Sequence, residues 1–484
     1  MKKKYTAKMC DNKMSIEACE YAILRNAIDE TENIKGKKQV NNEDVQKMLT
    51  IVEDFIISKK LICYGGTAIN NILPKYAQFY RKDIEIPDYD FFSSNALEDA
   101  KELANIYYNA GYRDVEAKSG VHMGTFKVFV NYIPIADITL LHKELYNNLL
   151  NDSIKMAGIH YCPPNFLRMG MYLELSRPEG DVSRWEKVYK RLNLLNQHYP
   201  IASKVCKNTS KNVIDTKLYN LVCNTLINND AIFFGGYAYN LYQQFYGNKN
   251  DDPTCFDVLA EDMDKLALII EEQLQQSGYK SIKKITHKPV GEIIPEHIEI
   301  RAGTSTVAYI YKPTACHNYN LININKQEVK IATIDTILSF YLAFIYANEP
   351  HFDKNRLLCM SKFLFDLSEK HKTETNGILK RFSINCYGTQ STLESMRAKK
   401  SSQFKKLKND RNNKEYEMWF LNYTPYKLEN KTIINKNSID IKNVEKSIES
   451  IKSQRKSKKS KSKKSKSPKT RKNTPDFFKK LLIK

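Results

Sequence analysis

Apolar positions in this chain recur in two rhythms, one of helices and one of strands, and the same succession of the two occurs twice. Val45, Leu49, Val52 and Ile56 fall three or four apart, which predicts a helix with one buried stripe, opening near Asn42 or Glu43. Lys59-Lys60 close it, since cations favour a helix C-terminus. The run Leu61 to Tyr64 predicts a short buried strand, and Gly65-Gly66 the turn into a helix from Thr67 to about Leu73, which Pro74 stops. Ile84 to Ser93 reads as the next strand. A helix through Ala110 follows, opened by an Asn95/Glu98 capping box and ended by Gly111. Phe126, Val128 and Val130 then alternate with Thr125, Lys127 and Phe129, the pattern of a half-buried strand. Asn131-Tyr132 turns that strand into another, Ile133 to Leu140. Ahead of all this, Ser15 to Asp29 predicts a short amphipathic helix and Thr31 to Asn42 a polar loop.

The second occurrence keeps the plan. LYNLVCNTLINNDAIFFGGYAYNLY (218–242) repeats the helix, strand, Gly-Gly and helix of MLTIVEDFIISKKLICYGGTAINNI (48–72). CFDVLAEDMDKLALIIEEQLQQSGY (255–279) aligns without a gap on DYDFFSSNALEDAKELANIYYNAGY (88–112), placing Asp257 on Asp90 and Gly278-Tyr279 on Gly111-Tyr112. TSTVAYIY (304–311) aligns on YIPIADIT (132–139).

Only the first copy carries a set of acids. Asp88 and Asp90 sit one residue apart among Tyr89, Phe91 and Phe92, and Asp137 lies inside a later apolar run. On a strand, residues i and i+2 share a face about 6–7 Å apart. Two such carboxylates can straddle two divalent metals about 3.5–4 Å apart, with a third carboxylate from an adjacent strand. Oxygen ligands favour Mg2+, with Mn2+ as a surrogate. Each piece alone has a plainer reading. A DxD is usually a surface turn, a Gly-Gly a tight turn, and Asp137 a strand residue paired with a lysine. Their order argues for more: carboxylates in a strand-like apolar run are costly without a counter-charge. Gly65-Gly66 allow close backbone approach of a triphosphate to a helix N-terminus, where Thr67 offers a hydroxyl. Neither GxxxxGK[ST] nor GxGxxG occurs, so no P-loop or dinucleotide fold competes. In the second copy Cys255 replaces Asp88 and Tyr309 replaces Asp137, so that copy reads as folded and catalytically dead. Between the copies, NFLRMGMYLELSRPEGDVSRWEKVYKRLNLL is rich in arginine and aromatics. Arg168, Arg177, Arg184, Lys187 and Arg191 are the candidates for phosphate contact, with Arg184 and Lys187 favoured.

Composition adds a partner class. The net charge is +21, and residues 451–484 hold 15 Lys/Arg against one acid, so the other 450 residues carry only +7. A modestly basic body with a strongly basic tail suits a polyanion such as nucleic acid. Ten cysteines without a CxxC pair read as free thiols in a reducing compartment. The basic N-terminus has no apolar run after it, so no signal peptide is expected, and no run of eighteen apolar residues predicts a membrane span.

With YGGTAIN, PDYDFF, IADIT and LELSRP…D-x-x-RWEKVYKRL in hand, the chain resembles the poly(A) polymerase catalytic subunits of large cytoplasmic DNA viruses, members of the DNA polymerase β-like nucleotidyltransferase superfamily. The resemblance spans roughly residues 45 to 345. Thr67 stands where many superfamily members have the serine of GlySer, and the Gly-Gly to DxD interval is longer than in many of them. The resemblance implies an α+β fold of tandem polymerase β-like nucleotidyltransferase domains, the second degenerate, with helical insertions and a disordered basic C-terminal tail. The expected divisions are an N-terminal helical segment (1–42), a catalytic domain (43–150), a helical Arg/aromatic connector (151–215), a degenerate domain (216–345), a C-terminal helical region (346–428) and the tail (429–484). The implied activity is template-independent addition of AMP from ATP to an RNA 3′ end. Asp88, Asp90 and Asp137 would be catalytic and would hold two metals, Mg2+ or Mn2+, while Gly65, Gly66, Thr67, Arg184 and Lys187 would bind the nucleotide. It further implies the host cytoplasm, in viral factories, or the virion as location rather than secretion. Some members work with a methyltransferase partner for processivity and some as homodimers; the sequence does not choose.

Two other readings stay open at this level: another RNA 3′-terminal transferase, for instance one adding uridylate, and a non-catalytic RNA-binding scaffold. Whichever holds, the tail is expected to attract RNA without regard to sequence. Deleting residues 451–484 should weaken RNA binding and flatten its salt dependence without removing chemistry. An unchanged slope of affinity against salt concentration would exclude the tail as an RNA contact.

Overall fold

The computed structural model describes residues 10, 14–203, 214–247 and 255–425. The basic tail, expected to be solvated, lies outside the described residues. The first copy of the repeat runs α1 (Ile16–Val40), α2 (Glu43–Lys59), β1 (Ile62–Cys63), α3 (Gly65–Ile72), β2 (Tyr89–Ser93), α4 (Ala96–Asn109), β3 (Val115–Ser119), β4 (Thr125–Val130) and β5 (Ile133–Leu140). After it come α5 (Lys143–Asn151), β6 (Ile154–Met156), β7 (Ile159–Tyr161), α6 (Pro164–Leu175) and α7 (Trp185–His198). The second copy runs α8 (Thr216–Asn228), β8 (Ile232–Phe233), α9 (Gly236–Phe245), β9 (Phe256–Leu259), α10 (Met263–Gln276), β10 (Ile282–His287), β11 (His297–Ala302) and β12 (Ser305–Tyr311). It continues through β13 (His317–Ile324), β14 (Gln327–Ala332), α11 (Ile334–Phe344), α12 (Lys354–Lys370), β15 (Cys386–Tyr387), α13 (Leu393–Leu407), α14 (Lys414–Phe420) and β16 (Asn422–Tyr423).

The strands make two eight-stranded sheets, ordered β16-β3-β4-β5-β2-β1-β7-β6 and β10-β11-β12-β9-β8-β14-β13-β15. The two orders correspond over seven strands, from β3 to β6 and from β10 to β13. Pairing agrees as well. β2 and β5 run parallel with Asp90 beside Asp137, and β9 and β12 run parallel with Asp257 beside Tyr309. The repeat read from sequence is therefore a structural duplication, and it extends further than the sequence showed. The β6–β7 and β13–β14 hairpins both add to β1 or β8, and each leads into a helix. Those helices, α6 and α11, pack against each other. Every residue of α11 from Ile334 to Phe344 is buried, which is why it is apolar on all sides rather than along one stripe.

Periodicity placed the core correctly. Val45, Leu49, Val52 and Ile56 of α2 are buried, and Phe126, Val128 and Val130 of β4 are fully so. Asn131 and Tyr132 both take positive φ (49° and 65°) in the tight turn between β4 and β5.

Several expectations need correction. Residues 31–40 continue α1 instead of forming a loop; they contain no proline, and Gly36 lies against the Ile84 carbonyl, where a Cβ has no room. That helix buries none of its residues. The strand expected over Ile84 to Ser93 starts only at Tyr89, because residues 81–85 form a turn and Pro87 has no N–H to give a ladder. Asn95 caps α4 without a side-chain hydrogen bond. Instead the Ser93 hydroxyl accepts from Asn95 N–H (2.8 Å) and donates to Asp99. β3 was not foreseen, since Val-Glu-Ala-Lys-Ser offers only two small apolar residues.

The connector 151–215 begins with two strands of the first sheet, and the region 346–428 is divided between both sheets. Its last part folds back on the first: β16 pairs with β3, Lys101 bridges Glu417 at 2.8 Å, and Tyr423 donates to Asn105. Nor are all thiols free: Cys10 is joined to Cys19, and Cys316 to Cys386 across the β13–β15 pair.

One buried ion pair ties the connector to the second copy. Asp335 of α11, fully buried, pairs with Arg381, whose guanidinium also lies over the Tyr189 ring of α7. Removing the acid leaves a buried cation unpaired. Asp335→Ala should lower stability by about 3 kcal/mol, read as a drop in urea midpoint without change of slope.

Candidate active site

The three acids converge on one edge of the β2–β5 pair. Asp90 and Asp137 are direct register neighbours on parallel strands, so both carboxylates leave the same face about 4.8 Å apart at the backbone. Asp88 lies two residues before Asp90, just outside the strand, and is the most exposed of the three. On the other side of Asp137, Lys127 of β4 is its register partner and its ion-pair partner. This is the lysine pairing that the plainer reading of Asp137 anticipated, and it is one cation facing three carboxylates. The imbalance has an electrostatic signature. Burial first, then the charges of Asp88 and Asp137, push the Asp90 carboxyl up to about 7, with Lys127 and Arg184 only partly opposing. Asp88 is raised as well, by burial and by Asp137. An all-oxygen donor set with a deficit of positive charge fits divalent cations.

The Gly-Gly turn is built against this set. Tyr64 donates its N–H to the Asp90 carbonyl (2.9 Å), which docks the end of β1 onto β2. Gly65 follows at φ +70°, and a Cβ there would sit 2.7 Å from an Asp90 carboxylate oxygen. Only glycine satisfies both conditions. The first turn of α3 thus opens beside the acids with its amides unencumbered by side chains. Thr67 does not project a hydroxyl into that space, as was expected of it. It is buried and donates to the Asp88 carbonyl at 2.7 Å, anchoring the acid-bearing segment.

The candidate cations divide by burial. Arg168 is fully buried, donating to Asn165, Asn196 and the Tyr199 carbonyl, and belongs to the core. Arg177 is mostly buried too. Arg184 is held by Glu174 at 3.0 Å and lies close enough to Asp90 to lower its pKa. Lys187 is depressed, chiefly by the charge of Arg191 and, after burial, by that of Arg184. These three form a cationic cluster. Arg191 stands nearest the glycines: one guanidinium nitrogen would lie 2.9 Å from a Cβ on Gly66. It donates to the Tyr80 hydroxyl (2.8 Å) and stacks over Phe79. The backbone N–H groups of Phe79 and Tyr80 are in turn held by buried Asn70 of α3, at 2.8 and 2.9 Å. Asn70, Tyr80 and their setting of Arg191 were not singled out from sequence. The residues lie 10 and 111 positions apart and share no motif.

The second copy keeps the scaffold and loses the site. Asp257 is buried against Gly235 as Asp90 is against Gly65. Its neighbours are Cys255 and Tyr309, as aligned, and the register counterpart of Lys127 is Glu299.

A mixed sheet with a Gly-Gly strand-to-helix turn beside carboxylates on adjacent parallel strands, duplicated with two of the three acids replaced, is the class of fold this chain presents. Comparison with known proteins narrows the class. Residues 50–181 match the family model described as poly(A) polymerase catalytic subunit. The chain is 32% identical over 185 residues to a putative poly(A) polymerase catalytic subunit of African swine fever virus (isolate Pig/Kenya/KEN-50/1950), covering 37% of this chain and 38% of that protein. It is 31% identical over 159 residues to the corresponding protein of Acanthamoeba polyphaga mimivirus, covering 32% and 26%. The matches thus span under two fifths of these relatives' length. The crystal structure of the Megavirus polyadenylate synthase shares the fold, with a TM-score of 0.71 and 19% identity over 87% of this chain and 88% of that one.

The raised Asp90 carboxyl makes stability depend on pH. Unfolded, Asp90 titrates near 4; folded, near 7. Between those values the folded state holds the proton more tightly, so stability is greatest at the acid end and falls as pH rises through about 7. Asp90→Asn removes this loss. Without metal, the variant should exceed the wild type by on the order of 2 kcal/mol at pH 8 and match it at pH 4. Urea unfolding at the two pH values measures the difference, and added Mg2+ should narrow it by stabilising only the wild type.

Proposed function

We propose that this protein is a polynucleotide adenylyltransferase that adds AMP from ATP to the 3′ end of RNA. The observation that carries the reading is the contrast between two copies of one scaffold, with three converging acids in one and a single buried Asp257 in the other. In this reading Asp88, Asp90 and Asp137 would hold two divalent ions, Mg2+ or Mn2+, which would supply charge neutralisation at phosphate oxygens and acidification of a hydroxyl. The opening amides of α3 at Gly65 and Gly66 receive phosphate oxygens of the triphosphate. Arg191, Lys187 and Arg184 supply the charge facing them, Arg191 held in place by Tyr80. The RNA 3′-oxygen attacks the α-phosphorus and pyrophosphate leaves in line. Lys127 orients Asp137 through their ion pair. The base preference for adenine rests on the relatives' names, since no residue described above reads a base edge.

Incubating the protein with a short RNA, Mg2+ and each NTP separately tests this. Extension should prefer ATP; equal use of UTP would favour a uridylyl-type enzyme, and no extension a scaffold. Asp88→Asn and Asp90→Asn should each abolish extension, whereas Asp257→Asn should leave it nearly intact. Arg191→Ala should raise the KM for ATP by about tenfold or more, the effect of losing a charge-assisted phosphate contact.

A further inference from the structure

The sheet face that carries the acids continues beyond them, away from the glycines. Phe126, Val128 and Val130 of β4 are fully buried on the side where α4 packs, so Thr125, Lys127 and Phe129 point the other way. Asp137 lies on that second face, since Lys127 pairs with it. β3 extends the face: Lys118 is the register partner of Lys127, and its ammonium lies over the Phe129 ring, 6.0 Å from the centroid. The Lys118 and Lys127 side chains are 45% and 42% exposed. Phe129 is half-buried, yet among the described residues it packs neither against the hydrophobic core nor against another aromatic ring. The core does not account for this phenyl ring, and folding does not favour the lysines beside it. Like charges directly opposite each other on neighbouring strands repel. Glu116 offsets Lys118 and Asp137 offsets Lys127, but Asp137 is the acid that the proposed reaction gives to a metal. Lys127 then faces Lys118 without its counter-charge, and a polyanion restores the balance.

We propose that the β3–β4 face seats the 3′-terminal nucleotides of the RNA, with Phe129 stacking on a base and Lys118 and Lys127 facing phosphates. The inference rests on the adenylyltransferase reading and supplies its polymer side. In-line transfer puts the attacking and leaving oxygens on opposite sides of the α-phosphorus. Gly65 and Gly66 follow β1, and Arg191 stands beside them, so pyrophosphate departs on the β1 side of Asp90. The 3′-oxygen then enters from the Asp137 side, and the strand behind it crosses β4 and β3, about 4.8 Å apart. Stacking on a phenyl face tolerates any base, which suits a chain end whose sequence changes as adenylate is added. Beyond β3 the positive character continues. α13 buries none of its residues and carries Arg397, Lys399, Lys400, Lys405, Lys406 and Lys408. Lys400 donates to the Gly120 carbonyl (3.0 Å) where β3 turns toward β4. A protein partner fits less well, because one phenyl ring among Lys118, Lys127 and Glu116 offers little apolar area, and interface cores are poor in charge.

An RNA of about ten nucleotides with 2-aminopurine at its 3′ end tests the assignment on the full chain, in Mg2+ and without NTP. Stacking should quench the probe with the parent protein and with Phe129→Tyr, and not with Phe129→Ala. Phe129→Ala should raise the Kd for this RNA by about tenfold. In extension assays the KM for RNA should rise to a similar degree while the KM for ATP stays the same. Lys118→Ala should flatten the slope of log affinity against log salt by about 0.7, the share of one phosphate contact on a single strand. Phe245→Ala, which removes an exposed aromatic from the second copy, should change none of these. Quenching and Kd are read without catalysis, so they decide this proposal even if no NTP is added to RNA. Equal Kd and equal quenching in the parent and in Phe129→Ala with native circular dichroism would overturn it. So would intact RNA affinity together with loss of self-association in Phe129→Ala, which would give the face to a second copy of the chain.

Discussion

Three carboxylates held together with one lysine between them are an electrostatic liability, and much of the first copy's architecture serves to keep them there. Parallel pairing of β2 with β5 places Asp90 beside Asp137, and Thr67 ties down the segment that bears Asp88. Gly65 leaves the carboxylate room where any side chain would collide. A free chain would relieve the repulsion by moving apart; here the sheet register forbids it, and Asp90 responds by holding its proton. Cations from solution or substrate remove the penalty. A site that is strained empty and relaxed when loaded is well suited to binding metal together with a triphosphate.

The duplicated copy shows what happens when that constraint is released. The register, the Gly-Gly turn and even the Asp against the first glycine persist, because they fix the backbone. The positions free to change have gone elsewhere: Cys255 and Tyr309 in place of acids, and Glu299 in place of Lys127. The inversion from Lys127 to Glu299 is notable physically. It exchanges a cation that balances acids for an acid hydrogen-bonded to His287, so the second copy carries its own charge logic on the same frame. The α6–α11 contact then joins the copies through corresponding helices.

Much of this was legible from residues alone, and the reason is periodicity. The buried stripes of α2 and β4, the Gly-Gly turns, the acids and the gapless alignment of 255–279 on 88–112 all depend on spacings within about 25 residues. Misreadings arose where local pattern and global context disagree. Arg168 looks like a phosphate-contacting cation, yet Asn165 one turn before it, Asn196 and the Tyr199 carbonyl make its burial tolerable. Thr67 looks like a phosphate ligand, yet its hydroxyl is spent on the Asp88 carbonyl. Residues 31–40 look like a loop by polarity, yet nothing in them breaks a helix.

By itself, then, the chain determined most elements of each copy, their order, their duplication and the spacing of the acids, since each follows from short-range repetition of apolar and special residues. Only the tertiary structure decided which cations reach the glycines, that Asn70 sets Tyr80 and Arg191, and that strands from beyond residue 150 and from residue 422 complete the first sheet. Those outcomes rest on contacts between segments 10 to more than 300 residues apart, where sequence spacing carries no information about distance in space.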